Sequence, residues 1–143
     1  MLAHLVLAVL LAQDSSPDSA PTEPPYFQQI DGALATYCAD SADDLNAAHT
    51  AGEVDPQHAI PFWSRYVKHV LRCAEQQHGI NQARLYAAAI DGILNSILYL
   101  KPDADEAAQW RKRAYTLIAK ALKEAQADPE LVTLLERWQD ELP

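Results

Sequence analysis

From Ala83 to Leu100 the chain is apolar almost all round, interrupted chiefly by Arg84, Asp91, Gly92, Asn95 and Ser96. A helix with so little polar surface has to be covered on most sides, so this stretch predicts the central member of a helical bundle. The remainder agrees with that class. Glycine is scarce, at 4 residues, and no stretch alternates apolar and polar positions as a half-buried strand would. The fold expected is all-α, a single-domain bundle of about five helices over residues 26–143.

The other helices follow from apolar spacing and end signals. Phe27, Ile30, Leu34, Tyr37, Cys38 and Leu45 share one face of a first helix that starts near Tyr26 and fades around Ala48 to Gly52. Asp55-Pro56 opens a turn, and Pro61 fits the first turn of a second helix with the stripe Trp63, Tyr66, Val67, Val70 and Ala74. Gly79 supplies a left-handed stop, and Asn81 a cap for the apolar third helix. Asp103 to Glu106 has the spacing of a capping box, ahead of Trp110, Ala114, Leu117, Ile118, Ala121, Leu122 and Ala125 on a fourth helix. Asp128-Pro129-Glu130 repeats that logic before a last helix carrying Leu131, Leu134, Leu135, Trp138 and Leu142.

The chain begins with the apolar run Met1 to Ala12, too short to cross a bilayer, followed by the proline-punctuated stretch Gln13 to Pro25. That pattern predicts a signal peptide over residues 1–12 and an extended linker over 13–25, with no stable membrane anchor once the leader is cleaved. Ahead of the apolar core only the amino terminus and His4 offer positive charge, an atypical feature for such a leader. A periplasmic or secreted location is the expectation, and an oxidising compartment changes the meaning of the only cysteines, Cys38 and Cys73.

Both cysteines fall on apolar stripes, which predicts a disulfide between the first and second helices. Closing a loop of that length would stabilise the fold by about 4 kcal/mol on the chain-entropy model. His69 lies one turn before Cys73 and reads as a polar residue at the edge of the interface. With Cys38 the three could meet a soft metal, but His49, His58 and His78 have no spacing that adds a fourth ligand, so no metal and no cofactor is expected. Arg84, Asp91 and Asn95 could line a small polar pocket inside the bundle. Together with Ala88 they also share one stripe of the third helix, and a strip touching water is the preferred reading.

The net charge of -9 is unevenly placed: nine acids and no Lys or Arg precede residue 56, after which eleven acids face eleven bases. Acid concentrated in the linker and first helix argues against nucleic acid and anionic membrane as partners and suits a cationic protein. Arg111, Lys112, Arg113, Lys120 and Lys123 crowd the fourth helix and could meet that acid within one chain or between two copies. There is no phosphate loop, no Gly-x-Ser-x-Gly, no His-Glu-x-x-His and no telling carboxylate pair, so catalytic residues are expected to be none. The run Leu34 to Cys38 resembles the opening of some periplasmic immunity proteins over those five residues, although the later cysteines of that group are absent. The preferred function is an exported protein-binding module, inhibitor- or immunity-like through its acidic first helix. The alternatives are a small-ligand carrier with Tyr86, Tyr99, Trp110 and Tyr115 around a pocket between the third and fourth helices, and an enzyme.

Overall fold

A computed structural model describes residues 25–142, and all regular structure among them is helical. The expected leader and nearly all of the expected linker lie outside the described residues, while Pro25 opens the first helix. The elements in order are α1 (Pro25–Tyr37), α2 (Ser41–Val54), a 3-10 turn (Pro56–Ala59), α3 (Ile60–Glu75), α4 (Gly79–Gly92), a π-turn (Ile93–Ile97), α5 (Ala104–Glu124) and α6 (Pro129–Glu141). Among the described residues six α-helices therefore stand where about five were expected. None of the described helices is long and apolar enough to cross a membrane.

The extra helix arises because the predicted first helix is broken at Cys38-Ala39-Asp40. There the amide of Ser41 bonds to the Cys38 carbonyl at 3.0 Å, and those of Ala42 and Asp43 bond to the carbonyls of Ala39 and Asp40 at 3.2 and 3.3 Å. Bonds of three-residue reach tighten the backbone into an elbow. The Ser41 hydroxyl, itself buried, donates to the same Cys38 carbonyl at 2.7 Å and holds the bend. No proline or glycine marks this point, and the apolar spacing runs straight through it. The elbow lets α1 pack on α4 while α2 packs on α3.

Helix α4 occupies the centre, touching α1, α3 and α5, with α6 laid against α5. Every residue from Leu85 to Gly92 is buried, as an almost wholly apolar helix requires. Gly79 does adopt the left-handed conformation (φ 61°), but it is the first residue of α4, preceded by an extended His78. Asn81 is thus inside the helix and caps nothing; its amide instead donates to the Tyr37 hydroxyl at 3.0 Å. The predicted third helix also stops short of Leu100, because α4 widens after Gly92 into a π-turn in which the Leu98 amide reaches the Ile93 carbonyl at 3.0 Å.

The later helix starts follow their sequence signals. Asp103 accepts from the Glu106 amide at 2.9 Å and Asp128 from the Leu131 amide at 3.3 Å, with Pro129 in the first turn of α6. The stripes from Trp110 to Ala121 and from Leu131 to Trp138 are buried as expected.

Two glycines give opposite expectations for the same substitution. A Cβ at Gly92 would stand 3.3 Å from Tyr66 Cε2 and 3.3 Å from Val67 Cγ2, side chains too tightly buried to give way. At Gly32, within α1, nothing lies within 4 Å. Alanine gains about 1 kcal/mol of helix propensity at either place, whereas crowding a packed core costs about 1–3 kcal/mol. Urea unfolding should show Gly32→Ala raising the midpoint and Gly92→Ala lowering it; a rise in both would mean that the α3–α4 contact is loose.

Candidate functional site

The elbow brings four chemically capable side chains to one place. Cys38 closes α1, Asp44 lies in the first turn of α2, and His69 and Cys73 stand one turn apart on α3. The sulfurs of Cys38 and Cys73 are bonded at 2.09 Å, with Cα atoms 5.7 Å apart. The bond ties the α1–α2 junction to α3, a different join from the bridge expected between the first and second helices. His69 Nδ1 and Asp44 Oδ2 are 2.7 Å apart and both side chains are mostly covered. One ring nitrogen of His69 and the two sulfurs lie within 4.8 Å of one another. His69 was legible as an interface residue, but Asp44 as its partner was not, since only the elbow turns that carboxylate toward α3.

The exposed surface at both ends of α2 is acidic. Asp40, Asp43, Glu53 and Asp55 are exposed and make no ion pair among the described residues, and Val54 between the last two is 83% exposed. On the inner side of α2, His49 sets its ring edge against Trp63, with centroids 5.1 Å apart. Burial holds the His49 imidazole below its usual range, with the Glu53 carboxylate acting in the opposite direction.

The proposed pocket residues do not converge. Arg84 donates to Gln29 at 3.1 Å and stands 3.7 Å from Asp128 Oδ2, linking α4 to α1 and to the start of α6. Asp91 is two turns further on, about 10 Å along the axis, and accepts from Asn95 at 2.7 Å. The water-facing strip is also corrected: Ala88 and Asp91 are buried, and only Asn95 at its end is exposed. Burial first, then the negative charges of Asp91 and Asp31, keep the Tyr66 hydroxyl protonated well above the usual phenol range.

The aromatic pocket does not form as expected either. Tyr86 and Trp110 belong to the core, Tyr99 is 78% exposed, and the half-exposed Tyr115 donates its hydroxyl to the Leu142 carbonyl at 2.9 Å. A groove of about 270 Å³ lies instead where the π-turn meets α5 and α6, lined by Leu94, Leu98, Trp138 and Leu142 with Asn95 and Arg111. The basic residues of α5 form no ion pair with α1 or α2 among the described residues. Arg113 instead stacks over Trp110, 5.4 Å from the ring centre. No family model matches the chain, and no curated protein or solved structure matches it either.

Removing the covalent tie with Cys38→Ala/Cys73→Ala should lower unfolding free energy by about 4 kcal/mol relative to the oxidised chain. A loss under about 1 kcal/mol in urea titration would show that packing alone sets the elbow. His49 gives a pH signature. Its folded-state pKa lies below the unfolded value, so the unfolded chain binds the proton first and stability is lost as pH falls through about 6.5. Relative to His49→Phe, which keeps a ring but cannot titrate, the wild type should lose stability between about pH 7.5 and pH 5; a constant difference would contradict burial of the neutral imidazole.

Proposed function

We propose that this chain is an exported helical protein that works by binding another protein, docking a cationic partner on the acidic surface of α2 in the manner of an inhibitor or immunity-type protein. The observation that carries the reading is the set of exposed carboxylates at the two ends of α2, Asp40 and Asp43 at its start and Glu53 and Asp55 beside the exposed Val54 at its end, none of them in an ion pair among the described residues. Asp44 is excluded from that surface because it is already committed to His69. An apolar residue projecting among acids offers a partner a contact that excludes water, while the charge steers approach and selects sign. The export part of the reading rests on the leader-like run Met1 to Ala12. Among the described residues the bases of α5 form no ion pair with this acid, which favours an external partner.

A second reading, a carrier of a small apolar ligand, draws on the groove beside the π-turn, since such turns recur at functional positions. Native mass spectrometry of protein taken from its own host separates the two, because a carrier retains a non-protein mass.

Capture of partners by the mature chain should fall at least tenfold when salt is raised from about 0.05 M to about 0.5 M, as screening shortens the reach of surface charge. The variant Asp40→Ala/Asp43→Ala/Glu53→Ala should lose the same partner at low salt. A partner retained equally at both salts and by the variant would remove the electrostatic docking mode.

A further inference from the structure

The cluster at the elbow holds more ligating chemistry than a disulfide uses. Cys38 is buried, but Cys73 and His69 are only partly covered, so a reductant and an ion can reach them from solvent. Two sulfurs and an imidazole nitrogen within 4.8 Å of one another form a three-ligand set of soft and borderline donors, the kind that selects zinc over magnesium or calcium. Asp44 adds what such sites commonly have beside a ligating histidine: a carboxylate 2.7 Å from Nδ1, which fixes the ring.

We propose that, once the Cys38–Cys73 bond is reduced, Cys38, Cys73 and His69 hold one soft divalent cation of the zinc type, with Asp44 orienting the imidazole. A dithiol reductant gives two electrons and two protons to the S–S bond and is itself oxidised to a disulfide; the bond breaks and leaves two thiols. The cation then takes both sulfurs as thiolates and releases their protons to solvent. Zinc–sulfur bonds of about 2.3 Å in tetrahedral geometry place the sulfurs about 3.8 Å apart. Rotation about each Cα–Cβ bond moves a sulfur further than that separation demands, so the backbone of the elbow keeps its place. The fourth position falls to water. Disulfide and metal are then alternative ways to fasten the elbow to α3, and neither depends on the partner proposed for the acidic face.

The test uses the full mature chain, reduced with a dithiol, desalted under argon and titrated with Co²⁺ and then Zn²⁺. The expected result is one Co²⁺ per chain with thiolate-to-metal charge-transfer absorption and the visible bands of a tetrahedral ion, both bleached by one equivalent of Zn²⁺. The oxidised chain should show neither. Asp44→Asn should weaken binding by about 10- to 100-fold, His69→Ala by at least as much, and Cys73→Ser should abolish the two-thiolate spectrum. Helical circular dichroism is followed in parallel, with His69→Gln replacing His69→Ala if the latter loses its helices. A reduced chain that keeps its helices, or loses them and regains them on adding Zn²⁺, supports the site. The proposal is overturned by a reduced chain without charge-transfer absorption, by equal binding in the oxidised chain, by wild-type affinity in the His69 variants, or by a reduced chain that stays unfolded with Zn²⁺ present.

Discussion

The join between the Cys38–Asp40 elbow and α3 is the constraint on which the rest of the structure depends. Helices of 13 and 14 residues, the lengths of α1 and α2, are marginal in water on their own and persist only when docked. The elbow sends them to different hosts, α1 to α4 and α2 to α3. A bend of that kind would be free to open if it were held by the Ser41 hydroxyl alone. The sulfur bridge and the His69–Asp44 contact fasten both sides of it to the same turn of α3. The loss of α1 would uncover the central α4, and the loss of α2 would uncover α3.

The same join sorts the acidic residues. Six of the nine early acids belong to residues 25–55, yet they are not equivalent once the elbow forms. Asp44 turns inward to His69, whereas Asp40 and Asp43 at the start of α2, and Glu53 and Asp55 flanking Val54 at its end, stay in solvent. Acid on α2 and base on α5 form no ion pair with each other among the described residues, so the charge asymmetry of the sequence persists across these helices. That asymmetry links the architecture to the proposed docking of a cationic partner.

Much of the fold was legible because it rests on local rules. The caps at Asp103 and Asp128, the prolines Pro61 and Pro129 in the first turns of α3 and α6, and the all-round apolar character of α4 are written in a few adjacent residues. The elbow was not legible, because Leu34, Cys38, Leu45 and Ala48 keep helical spacing across it and its only marker is a buried serine, Ser41, which a helix interior also tolerates. The polar pocket failed for a related reason. Arg84 and Asp91 share a stripe, but the Arg84 end meets Gln29 of α1 and Asp128 at the start of α6 while the Asp91 end lies by Tyr66 of α3, and sequence spacing does not show which neighbours a face meets. The Cys38, His69 and Cys73 grouping was visible as a pattern; the missing member, Asp44, sits beyond the break and needed the fold to reach it.

The central claim, that a bond between Cys38 and Cys73 closes the elbow on α3, is tested most directly by intact mass spectrometry of protein from its own host, alkylated in denaturant with and without prior reduction. The account predicts no alkyl adduct without reductant, a mass two hydrogens below that of the reduced chain, and two adducts after reduction. Two adducts without any reductant would contradict it.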